Sequence, residues 1–136
     1  MILRHITLKD YRKLIGFWKD NYFVNELDDL KPFKMFMKKN PKMSFLVEEK
    51  GKILGTVLGS FDGRRGYIQK LVVSKSQRGK GIGKQLINSA VKKLESLGAL
   101  YIPVSCEIGN LPFYEKNGFK KTDQVTMSIS HSTYKK

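Results

Sequence analysis

The period of the apolar positions changes several times along this chain, and each change marks an element. MILRHIT alternates, Ile2, Arg4 and Ile6 against Leu3 and His5, which predicts a first strand. Thr7 can cap the next segment, with Asp10 at the capping-box position. Leu8, Tyr11, Leu14, Ile15 and Trp18 then recur at helical spacing. A polar link over 19–27 leads to a second helix with an apolar stripe of Leu30, Phe33, Phe36 and Met37. Asp28 or Asp29 stands near its start, and Pro32 suits its first turn. SFLVEE and ILGTVLGSF, parted by Lys50-Gly51, predict an antiparallel hairpin. FDGRRG is a further turn before the β-rich run YIQKLVV. The clearest helix spans 81–97: Ile82, Leu86, Ile87, Ala90, Val91, Leu94 and Leu97 share one face, and Gly98 is a ready C-cap. ALYIPVS predicts another strand, LPFYEKNG a short helix ended by Gly118, and FKKT with VTMSISHS a closing strand pair.

The expected order is β-α-α-β-β-β-α-β-α-β-β. Only crossovers through helices need be parallel, so the fold class is mixed α/β. One domain over 1–136 is expected, a mostly antiparallel mixed sheet with helices on both faces. With 40% apolar residues the chain can build a core without staples. The lone cysteine, Cys106, cannot form an internal disulfide and fits a reducing compartment. There is no apolar run of membrane length and no signal-peptide core at the start, so the expectation is a soluble, cytoplasmic protein, monomer or homodimer.

Charge adds a partner class. Lys and Arg number 26 against 12 Asp and Glu, a net +14, which favours an anionic partner: nucleic acid, an acidic membrane or a phosphorylated ligand. No acid occurs between Asp62 and Glu95, while Arg64, Arg65, Lys70, Lys75, Arg78, Lys80, Lys84, Lys92 and Lys93 do.

That window contains SKSQRGKGIGKQL, in which Gly79, Gly81 and Gly83 alternate between a strand and a strong helix. Glycines let the backbone approach a ligand, and the helix start offers unpaired N–H groups and a positive dipole end. With Arg78, Lys80 and Lys84 beside them, they make an anion site suited to a pyrophosphate. A dinucleotide fingerprint fails at Lys84, which stands where a glycine is needed. A P-loop fails at Arg78 and Gln85. The pattern R-x-x-G-x-G does fit, from Arg78 to Gly83.

In this loop the chain resembles the GNAT superfamily of acyl-CoA-dependent N-acetyltransferases. A second motif, Phe113-Tyr114-Glu115-Lys116-Asn117-Gly118-Phe119, stands about thirty residues on, as in that family, and the order of elements is similar over most of the chain. The resemblance implies acetyl-CoA as cosubstrate and an amine as acceptor. Main-chain groups of Leu71, Val72 and Val73 would pair with the pantetheine arm, and an N–H near Val72 or Val73 would hold the thioester oxygen as it becomes an oxyanion. Amides of Gly79, Lys80, Gly81, Ile82, Gly83 and Lys84 would take the pyrophosphate, with Arg78 at the entrance. Tyr114 would be the general acid that protonates the leaving thiolate.

The chain departs from the family twice. Gln69 stands where a glutamate general base is often found, and an amide takes no proton at neutral pH. Glu107, just after the fifth expected strand, and Glu26 are candidate bases or plain surface acids, and a water chain to solvent is a further alternative. The family's CoA-contacting asparagine lies seven residues before the tyrosine; here that position is Glu107, and Asn110 lies four before. Cys106 could be an acylated nucleophile, or a small half-buried residue. His5 and His131 lack metal-ligand spacing, so no metal is expected. Asp20, Glu26, Asp28 and Asp29 could attract a cationic amine, or complement a helix start. Trp18, Tyr22, Phe23, Phe33 and Phe36 could line an acceptor pocket, or be core. Two other classes stay open: an acyl-CoA-binding module with weak catalysis, prompted by Gln69, and a nucleic-acid-binding protein, prompted by +14, though no stacking motif appears.

Overall fold

The computed structural model describes residues 1–132. Among them, strands β1 (Ile2–His5), β2 (Phe45–Glu49), β3 (Lys52–Phe61) and β4 (Gly66–Val73) form one antiparallel sheet in that order. The helices are α1 (Tyr11–Asn21), α2 (Leu30–Lys39), α3 (Ile82–Ser96) and α4 (Leu111–Lys116), with short 3₁₀ turns at 8–10, 26–28, 75–77 and 108–110. None of these helices is long and apolar enough to cross a membrane.

Alternation along β2 sorts the molecule into layers. Phe45 and Val47 join Leu54, Val57, Ile68, Ile82, Leu86, Ile87, Ala90 and Leu94 on the face covered by α3. Leu46 joins Leu14, Phe17, Trp18, Phe33, Ile53, Leu58 and Val72 on the face covered by α1 and α2. A strand buried on both faces carries apolar residues at successive positions, as β2 and β3 do. Leu8, Leu30 and Leu97, expected on apolar helix faces, are instead exposed at element ends.

The expected entry into α1 forms through the Asp10 carboxylate, which accepts the Thr7 N–H at 2.8 Å. Arg4 donates to both oxygens of Asp10, at 2.9 and 2.8 Å, and to Glu48 across the strand pair at 3.0 Å. Burial alone would raise the Asp10 carboxyl; the Arg4 hydrogen bonds and the Thr7 amide outweigh it and hold the group below its ordinary value.

The last three expected strands need correction. ALYIPVS lies parallel to β4 but makes isolated bridges only, Arg65 to Tyr101 and Ile68 to Val104. Pro103 has no N–H to donate there, and beyond Val104 the two chains part. FKKT and VTMSISHS do not pair. Val125, Met127 and Ile129 alternate as a strand would, yet each is more than four-fifths exposed, because no sheet face stands opposite them among the described residues.

Candidate functional site

Where β4 and the 104–110 segment part, a cleft of about 1500 Å³ opens. Its walls are 68–73 of β4, the loop from Gln77 to Lys84 apart from Lys80, residues 104–110, Phe113, Tyr114 and Lys116 of α4, and Asn21 with Tyr22 at the end of α1.

The loop end is built from backbone. Gly79 and Gly81 have φ of +81° and +85°, the left-handed region that side chains disfavour, and Gly81 is the N-cap of α3. The first intrahelical bond in α3 runs from the Gln85 N–H to the Gly81 carbonyl at 3.1 Å. The amides of Ile82, Gly83 and Lys84 therefore have no helical acceptor, and they stand at the positive end of a 15-residue helix. Gly83 serves a different end. A Cβ there would sit 3.2 Å from the Phe113 ring and 3.5 Å from Val73, so its absence lets α4 close against α3. Arg78 folds back, Nε donating to the Val73 carbonyl at 3.3 Å, and ties the loop to the end of β4.

Of the residues proposed from sequence, Leu71, Val72, Val73, Arg78, Gly79, Gly81, Ile82, Gly83, Lys84, Glu107, Asn110 and Tyr114 all line this one cleft. Lys80 does not: it is exposed, and its Nζ donates to Gln77 Oε1 at 3.4 Å. The basic window also narrows. Of its nine cations only Lys70, Arg78 and Lys84 line the cleft.

Tyr114 is buried in the middle of α4, edge-on between Phe113 (centroids 5.2 Å apart) and Phe119 (5.5 Å). Burial, helped by the nearby acidic groups of Cys106 and Tyr22, pushes its phenol up to about 12. The group holds its proton at any ordinary pH. Gln69 is exposed toward the cleft from β4, and Glu107, at the opposite wall, is the carboxylate among the described lining residues. Asn110 is the N-cap of α4. Cys106 is partly buried in the same wall. Glu26 lies outside the lining, in the turn before α2, and His5 stacks on Phe45 at 4.7 Å.

Sequence reasoning missed Lys70. Pairing skips from Leu58–Gln69 to Thr56–Val72, so β4 carries one extra residue opposite Val57. Lys70 sits in that bulge at φ +49°. The bulge turns Val72 toward the α1 face while Ile68 stays on the α3 face. Lys70 Nζ pairs with Asp28 Oδ2 at 2.9 Å. A signal existed: a lysine at every-other spacing between Ile68 and Val72 is a charge in a buried row, which demands a partner. The acidic patch at 20–29 is correspondingly reduced, since Asp28 holds Lys70 and the Asn25 N–H (3.1 Å) while Asp29 is the N-cap of α2.

Structures of similar fold include glucosamine-6-phosphate N-acetyltransferase from Arabidopsis thaliana, 24% identical, TM-score 0.75, over 96% of this chain and 97% of that one. A probable acetyltransferase from Staphylococcus aureus matches at 16% identity and TM-score 0.77, over 96% and 98%. An aminoglycoside 6'-N-acetyltransferase from Acinetobacter haemolyticus matches at 13% and 0.74, over 96% and 98%. At these identities the likeness speaks to the fold. The family itself follows from the sequence match to the acetyltransferase (GNAT) family over residues 4–119, which takes in most of the sheet, the glycine loop and the buried tyrosine: the chain belongs to that family.

Proposed function

We propose that this protein transfers an acetyl group from acetyl-CoA to a primary amine by direct attack. One observation carries the reading: a single cleft has a glycine-capped helix start, its first amides without helical acceptors, at one end and a protonated, buried phenol on its wall. The amides of Gly79, Gly81, Ile82, Gly83 and Lys84, with the cations of Arg78 and Lys84, suit a pyrophosphate. The β4 edge over Leu71–Val73, left unpaired where the 104–110 segment diverges, suits the extended pantetheine arm. The amine lone pair attacks the thioester carbon and the C–S bond breaks. Tyr114 gives its proton to the departing sulfur and is reprotonated from solvent. Glu107 takes the proton released by the amine, directly or through water, since Gln69 has no such capacity. Asn110 is assigned to the CoA side of the cleft.

Calorimetry with acetyl-CoA, then thiol release against a panel of amines and peptide amines, tests this reading. Binding at micromolar or tighter with amine-dependent release supports it. Tight binding with no release for any acceptor favours the binding-module reading that Gln69 prompts.

A further inference from the structure

Lys70, beside the cleft, is held at both its backbone and its ammonium. Its backbone is in the left-handed region, unusual for a long side chain and found where surrounding structure enforces it. What enforces it is on both ends of the residue. The carbonyl accepts from Thr56 Oγ1 at 2.9 Å, and that same oxygen accepts the indole N–H of buried Trp18 at 3.0 Å. The ammonium donates to the Phe23 carbonyl at 2.9 Å and pairs with Asp28 at 2.9 Å, with side-chain exposures of 12% and 7%. It lies 4.9 Å from the Trp18 ring centre, 5.4 Å from Tyr22 and 4.7 Å from Phe23.

All these partners but Thr56 belong to α1 or to the connection between α1 and α2. Tyr22 lines the cleft, and the residues after Lys70, Leu71 to Val73, are those assigned to the thioester arm. We propose that Lys70 is a positioning residue. Its ammonium latches the 22–29 connection onto the bulge of β4, so that the wall facing the amine and the strand edge facing the thioester keep one relative geometry. The proposal rests on the acetyltransferase reading for its chemistry, not for the latch itself. Lys70 touches no reacting atom; it acts through Tyr22 and through the main chain of Leu71 and Val72.

Three variants separate latch from backbone strain. Lys70→Met keeps the stem and loses the charge. Lys70→Gly loses the side chain but favours the left-handed backbone, so a bulge needing only that conformation keeps its function. Asp28→Asn removes the charge of the far partner and keeps an amide oxygen for the Asn25 N–H. Each is assayed for acetyl-CoA affinity by calorimetry, for thiol release with n-propylamine as probe nucleophile, and for amide exchange at 22–29 and 70–72. The expected result is acetyl-CoA affinity within about threefold of the parent chain, a turnover at least about tenfold lower, and faster exchange in both segments for all three variants. Lys70→Met combined with Asp28→Asn should lose no more than either alone. Full turnover in Lys70→Gly, or Asp28→Asn leaving exchange at 70–72 unchanged, overturns the proposal. Failure of the parent chain to bind acetyl-CoA overturns the acetyltransferase reading instead, and exchange then decides the latch alone.

Discussion

Gly81→Ala isolates what the glycine loop contributes. A Cβ at Gly81 meets nothing within 4 Å, so the substitution brings no clash, and its whole cost lies in holding φ near +85°. For an L-residue that region costs roughly 1–2 kcal/mol. Gly81 is exposed, and its relaxation strains the Gln85 N–H to Gly81 carbonyl bond at the first turn of α3, so part of the penalty appears in the free chain and the rest on binding, when the amides must return to the geometry proposed to face a pyrophosphate. At about 1.4 kcal/mol per tenfold, acetyl-CoA should bind up to about 5- to 30-fold more weakly, with a smaller change in Tm than in the control below. Gly98→Ala is the control. Its φ is +99° and its Cβ would also meet nothing, but it closes α3 far along the helix, with Gly98 N–H bonded to Glu95 O at 3.0 Å and Ala99 N–H to Leu94 O at 3.1 Å. Relaxation there breaks those bonds, so the same penalty should appear as a Tm fall of about 3–10 °C with acetyl-CoA affinity intact. Calorimetry and thermal unfolding on both variants decide it. Gly81→Ala binding within twofold of the parent would refute the assignment of these amides to the pyrophosphate.

Tyr114→Phe keeps the ring between Phe113 and Phe119, so turnover should fall about 100-fold or more while acetyl-CoA affinity stays within twofold. Unchanged turnover removes the phenol from the mechanism. Because burial raises that phenol to about 12, it stays protonated as pH rises, and its donor role predicts no loss of rate between pH 8 and 10 from this group. Thr56→Val strands the Trp18 indole N–H and the Lys70 carbonyl together, and should cost about 2–4 kcal/mol in urea unfolding; less than about 0.5 means those groups find other partners. Asp10 is held below its ordinary value in the folded chain, so its contribution is complete above about pH 4 and lost as pH falls through the depressed folded value. Arg4→Met should flatten that acid limb, and an unchanged pH–stability curve would exclude the pair as its source.

The hairpin, α1, α2, α3 and the glycine loop were legible because each rests on neighbours in sequence: alternation, 3.6-residue spacing, caps and φ-permissive glycines. The closing strands were not, because pattern states only that a segment could pair. Val125, Met127 and Ile129 have the alternation of a strand and no sheet face to meet among the described residues. ALYIPVS carries a proline that a ladder cannot use and stops short of becoming one.

The candidate site divides the same way. The residue sequence alone determined the glycine loop, the FYEKNGF motif and the family, since those depend on short motifs and their separation. Tertiary structure decided which charges matter. It sent Lys80 to solvent, placed Glu107 and Tyr114 on one cleft, and joined Lys70 to Asp28 across 42 residues of chain. A bulge of one residue reverses which way a strand's side chains point, and no periodicity reveals it until the partner strand fixes the register.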